Sequence, residues 1–178
     1  MKFLKYISIA LFALTMIVAC SNEDSIQQLY IDSEKNEDYL MLDIPMSLMS
    51  MPETASAEAK QAYNSIEKIN LLAFKVNESN ITDYTSEKSK VKKILKNSKY
   101  IELMRVNSNG HNVIAKYVGT ENSVDELIVF ASDNSKGFAL ARVHGNDMKP
   151  ENMLSLLNNI KNMDKDDAIF GKIKDFFN

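Results

Sequence analysis

The 178-residue chain has one cysteine, no tryptophan and two histidines, and its formal net charge is only -3. A lone cysteine cannot close an intramolecular disulfide or supply a Cys-rich metal site. Without a basic surplus or an aromatic platform among its lysines, the chain is not built to grip nucleic acid. The standard catalytic spacings are also missing: there is no His-Glu-x-x-His, no Gly-x-Ser-x-Gly, no phosphate-cradling Gly-rich loop and no Cys-x-x-Cys. The length suits one ordinary domain, since domains usually run to roughly 100–200 residues. A composition that is 45% hydrophobic and 25% charged argues against wholesale disorder.

The first twenty residues read as an address. Lys2 and Lys5 form a short positive segment, and Tyr6 to Val18 is an almost unbroken apolar run. That run falls short of the ~20 residues a membrane-spanning helix needs, so it reads as a signal-peptide core. It ends in Ile17-Val18-Ala19-Cys20, which resembles the lipobox of bacterial lipoproteins. The resemblance implies cleavage before Cys20 and lipid on its sulfur, with small Ala19 suiting the peptidase and Cys20 supplying the thiolate. Acyl chains add about 0.8 kcal/mol per buried methylene, so two or three hold a protein at a membrane durably. The competing reading is an ordinary secretory signal followed by an incidental cysteine. Residues 1–19 are thus expected to be a signal peptide and residues 20–38 a lipidated acidic tether. That tether carries Glu23, Asp24, Asp32, Glu34, Glu37 and Asp38 against Lys35 alone, and is expected to be solvated rather than packed. Residues 39–162 are expected to form a single α+β domain, and residues 163–178 a C-terminal amphipathic helix.

Within the domain the periodicity changes several times. Ser50-Met51-Pro52-Glu53 has the form of a capping box, and Ala59, Ala62, Tyr63, Ile66 and Ile69 repeat at helical spacing, predicting a helix over 54–68. The run over 69–76 predicts a buried strand. Tyr84, Val91, Ile94 and Leu95 share one face of a helix over 82–97. From Lys99 onward four strand-length runs are separated by Asn-, Asp- and Gly-rich turns, the pattern of an antiparallel meander. Gly145-Asn146-Asp147 is expected to end the last strand, and Pro150 to open a helix carrying Met153, Leu154, Leu157 and Ile160. The expected fold class is α+β: a mainly antiparallel sheet, with a meander of four strands plus one earlier strand, and helices packed on one face.

Tyr100-Ile-Glu-Leu-Met-Arg-Val106, Asn109-Gly110, Val124-Asp-Glu-Leu-Ile-Val-Phe130 and Gly145-Asn146-Asp147-Met148 stand in an order and spacing of their own. Together they resemble the Bacteroidota lipoprotein family called domain of unknown function 4252, over roughly residues 40–160. Each short motif is weak alone, and the ordered set is more specific. The resemblance brings no activity, cofactor or catalytic residue with it. It implies a place in the cell envelope.

Several residue groups could carry chemistry. Met46, Met49 and Met51 are thioethers at a spacing that can bind Cu(I), although methionines beside a proline-bounded apolar segment more commonly fill an irregular core. Lys88, Lys92 and Lys96 form a like-charged ladder on one helix face, with Lys90, Lys93 and Lys99 nearby. Such a ladder suits an anionic partner, or simply solvent. His111 and His144 could meet as a ligand pair or sit separately in turns. Asp164, Asp166 and Asp167 lack the glycine and terminal glutamate of a calcium loop, and read as a helix start. Ile169, Phe170, Ile173, Phe176 and Phe177 form an apolar face for the domain, a partner or a membrane.

The sequence points to a noncatalytic, lipid-anchored envelope module without a cofactor, in envelope homeostasis or sensing. The expected place is the outer membrane, with the periplasmic or surface-facing side left open. Its expected partners are the membrane, through lipid on Cys20, and an envelope protein or glycan, with no nucleic acid. The alternative is an envelope hydrolase working on glycan or peptide through carboxylates such as Glu102 and Glu126.

Overall fold

The computed structural model describes residues 24–49, 51–108, 110–159 and 168–177. Cys20, Ser50 and the three late aspartates, Asp164, Asp166 and Asp167, lie outside them. Among the described residues the order is α1 (Ile26–Ser33), β1 (Tyr39–Pro45), a 3-10 turn (Met46–Leu48), α2 (Ala57–Ser65), β2 (Ile66–Lys75), α3 (Ile81–Ile94), β3 (Ile101–Ser108), β4 (His111–Thr120), β5 (Ser123–Asp133), β6 (Gly137–Met148), α4 (Pro150–Asn159) and α5 (Ala168–Phe177). The six strands form one sheet in the order β1-β2-β6-β5-β4-β3, with every neighbouring pair antiparallel. The expected α+β class and four-strand meander are present.

Side chains alternate between the two faces of a strand, which divides the core in two. Leu72, Phe74, Ile114, Ile128, Phe130, Phe138 and Leu140 share one face, where they pack with Ile26 and Leu29 of α1 and with Tyr84, Val91 and Ile94 of α3. Tyr117, Leu127 and Val143 point the other way, into a second cluster with Ala62 of α2 and Met153 and Leu156 of α4. Helices therefore accompany both faces, a refinement of the one-sided packing expected from sequence. Ala59 and Ala62 are small enough to bring α2 close to its neighbours, and both are fully buried.

Four boundaries differ from the sequence expectation. The first lies in the acidic tether, where residues 26–33 are helical and part of the core. Ser25 Oγ accepts from the Gln28 N–H at 3.1 Å and caps α1, whose Ile26 and Leu29 are buried. Burial contributes roughly 1.5–3 kcal/mol for each such side chain. The acidic groups stay outside, where Asp24 pairs with Lys93 and Asp32 with Lys90. Second, β1 adds a sixth strand in the apolar patch before the methionines.

Third, the helix expected over 54–68 is only Ala57–Ser65. Ser56 Oγ accepts from the Ala59 N–H at 3.2 Å, so Ser56 is the cap of α2. Ile66 and Ile69 leave the helix for β2, where their branched side chains suit a pleated sheet. Ser56→Ala is expected to lower stability by about 1 kcal/mol, read from the urea unfolding midpoint. Finally, β6 runs through Gly145-Asn146-Asp147 as far as Met148. A side chain at 145 would collide with the Ser65 carbonyl oxygen, so glycine lets β6 pass close to the α2–β2 junction. Asp147 adopts a left-handed backbone (φ 55°) where the β5–β6 ladder shifts register, a conformation that aspartate tolerates well.

A polar shelf on the sheet

The face that carries α1 and α3 changes character halfway along its strands. On β6 the side chains of one face read Phe138, Leu140, Arg142, His144; on β2 they read Phe74, Leu72, Asn70, Lys68. The same switch separates Phe130 and Ile128 from Glu126 on β5, Ile114 from Lys116 on β4, and Met41 from Asp43 on β1. In register, Asp43, Asn70, Arg142 and Lys116 share one row, interrupted by Ile128 on β5, and Lys68, His144 and Glu126 share the next, which meets Val118 on β4. The apolar half lies beneath the two helices. The polar half is a shelf beside them.

The centre of the shelf is Glu126, Arg142 and His144. The Arg142 guanidinium donates to the Glu126 carboxylate and lies 5.7 Å from the centre of the Tyr30 ring, so α1 helps hold it. Tyr30 donates to the carbonyl oxygens of Asn70 (2.7 Å) and Leu140 (3.0 Å), joining α1 to β2 and β6. Burial pushes the Tyr30 phenol far above its ordinary pKa, which keeps it protonated as a donor. His144 Nε2 lies 3.9 Å from Glu126 Oε1, too far for a direct hydrogen bond. Around this centre the Asn70 amide donates to Asp43, and the Asn146 amide to Glu67 at 2.6 Å. Lys116 is turned to structural use, donating to the Leu95 (2.7 Å) and Tyr100 (3.1 Å) carbonyl oxygens at the end of α3.

Burial pushes the His144 pKa below its ordinary value of 6.5, with Arg142 and Lys68 pushing the same way against Glu126 and Glu67. The folded protein therefore binds a proton at His144 less readily than the unfolded chain. This contribution to stability is present above pH 6.5 and is lost as pH falls through the lowered folded pKa. Acidification below pH 6.5 is expected to lower the urea midpoint of the wild type more than that of His144→Gln. Parallel pH profiles would contradict this reading of the site.

The other candidates are scattered. Glu102 lies on edge strand β3 and pairs with Arg105 at 2.6 Å, while Glu126 belongs to Arg142 two strands away. From the register, their backbones stand roughly 12 Å apart, and each carboxylate has its own arginine. The sheet does not bring them together as an acid–base pair. His111 also lies far from His144, at the opposite end of the strands, with Nδ1 2.7 Å from Asp133 Oδ2. Hydrogen bonds from the Ser135 hydroxyl and N–H and from the Lys136 N–H, with His111 beside them, hold the Asp133 carboxyl down to about 2. Met46 is buried in the second core cluster, and Met49 and Met51 pack against it.

On α3, Lys88 donates to Tyr84 Oη (3.1 Å) and to Asn134 Oδ1 (2.7 Å). Burial lowers the pKa of Lys92, as do Lys88 and Arg105 nearby. Lys96 has no ion-pair partner among the described residues. Sequence reasoning missed Arg142, Tyr30 and Lys68. The signal was present in the alternation of Phe138-x-Leu140-x-Arg142-x-His144, where a core-facing stripe turns charged.

No curated protein and no solved structure matches the chain. Residues 30–156 match the family model described as "Domain of unknown function (DUF4252)". That span begins inside α1, includes all six strands and the whole shelf, and ends in α4. The chain belongs to the DUF4252 family.

Proposed function

We propose that this protein is a lipid-anchored, noncatalytic binding module of the cell envelope, in envelope homeostasis or sensing, with the polar shelf as its contact surface. The observation that carries the reading is the cluster of charged and amide groups on neighbouring strands β1, β2, β6 and β5 of one sheet face, beside the apolar half that α1 and α3 cover. Asp43, Glu67 and Lys68 are exposed there, and half-buried Arg142 and Glu126 satisfy each other, so this face stays polar and open to a partner without an unpaired buried charge. Shelf residues supply donors from Arg142, Lys68 and Asn70 and acceptors from Glu126, Glu67 and Asp43. This mixture suits a hydroxyl- or amide-bearing partner, such as a glycan or an extended peptide. Lys2, Lys5, the apolar run and Ala19-Cys20 support the anchor and the outer-membrane location.

Labelled palmitate tests the anchor. The wild type is expected to incorporate label, while Cys20→Ala does not. Equal labelling of the two would sink the lipid-anchored reading.

A further inference from the structure

The other face of the sheet holds a second opening, at the end farthest from α2 and α4. Val113, Ala131 and Ala139 lie side by side there on β4, β5 and β6, in one cross-strand row. Alternation turns them away from Phe130 and Phe138. Their small side chains leave space below α5, and the C-terminal helix supplies Phe177 as a wall. A cavity of about 360 Å³ lies between them. Its mouth carries His111, Lys136 and Lys174. The one carboxylate at this mouth, Asp133, is taken up by His111, Ser135 and the Lys136 N–H. Among the described residues, neither Lys136 nor Lys174 has an ion-pair partner.

We propose that this cavity binds the acyl chain of a fatty acid, with its carboxylate held by Lys136 and Lys174. Three features converge on that ligand. An apolar floor and wall need an apolar body. Two unpaired ammonium groups at the mouth need an anionic end. The volume is near the lower limit of the ~300–1,000 Å³ range of small-molecule sites, which suits a single acyl chain. The polar shelf plays no part in this site.

The test uses residues 20–178 carrying Cys20→Ala, which keeps every described residue and lacks both the apolar leader and the lipid attachment point. Dodecanoate, titrated calorimetrically below its micelle-forming concentration, is expected to bind saturably at one site. Ala131→Leu, which fills the floor, and Lys136→Glu/Lys174→Glu, which reverses charge at the exposed mouth, are each expected to weaken binding about tenfold or more. The charge-reversed protein touches no core side chain, so it decides the matter if Ala131→Leu folds poorly. Dodecyl maltoside, with the same chain and no charge, is expected to bind much more weakly. The proposal is overturned by the absence of saturable dodecanoate binding, by unchanged affinity in the charge-reversed protein, or by equal affinity for dodecyl maltoside.

Discussion

Phe138→Ala is expected to lower the free energy of unfolding by about 3–5 kcal/mol, the range for removing a large buried aromatic side chain. Phe138 is only 1% exposed and lies in a cluster of rings that joins Tyr84 of α3 to strands β1, β2 and β5. It stacks on Phe74 at 5.6 Å and on Tyr84 at 6.2 Å, and meets Phe130 at 5.7 Å and Tyr39 at 6.1 Å. Truncation would remove the partner of four rings and leave a cavity between two elements that cannot both move in to fill it. Domains are usually stable by only about 5–15 kcal/mol, so the loss would be a large share of the total. Urea denaturation supplies the measurement, with Ile81→Ala as the comparison. Ile81 is 56% exposed on the outside of α3, and its loss is expected to stay within about 0.5 kcal/mol. Equal midpoint shifts for the two variants would contradict this account of the core.

Arg142→Ala is expected to cost about 2–3 kcal/mol, more than a surface ion pair and less than a fully buried one. The side chains of Arg142 and Glu126 are 19% and 17% exposed, so solvent screens part of the interaction. Removal of the guanidinium would strand the Glu126 carboxylate and uncover the Tyr30 ring. Much of that cost comes from the stranded charge, so Glu126→Gln in the same chain is expected to recover about half of it. A double-mutant cycle separates the two contributions. Additive losses would mean that the pair is not coupled and that the centre of the shelf is looser than its geometry implies.

The meander and α3 were legible because their signals were local: turn residues between strand-length runs, and an apolar stripe at helical spacing. α1 was obscured by charge count. Six acidic residues in 20–38 outweighed Ile26 and Leu29, yet those two face the core while Asp24 and Asp32 reach Lys93 and Lys90 on α3. Acidic segment and lysine-rich helix, which look like separate features in sequence, partly neutralise each other across about sixty residues of chain. Such pairing depends on tertiary placement and leaves no local trace. β1 was hidden by the methionines beside it and by Pro45, a residue that sheets accept at an edge.

The shelf could be read only in part. Alternation along β6 shows one stripe turning from apolar to charged. That the same change occurs at matching positions on β1 and β2, and one residue pair further along on β5, requires the strand order, which brings β2 beside β6 across a gap of about sixty residues in sequence. Glu126 was noticed as a carboxylate without its partners, because Arg142 and Tyr30 come to it from β6 and α1.

The most direct test of the shelf as a contact surface is site-specific photo-crosslinking in intact cells that make the full-length protein. A photoreactive residue at position 68, on the shelf, is compared with one at position 106, an exposed site on the opposite face of the edge strand. The expected result is a discrete adduct from position 68 and little or none from position 106. Adducts of equal yield from both positions, or no adduct from position 68, would contradict a module that works through its shelf.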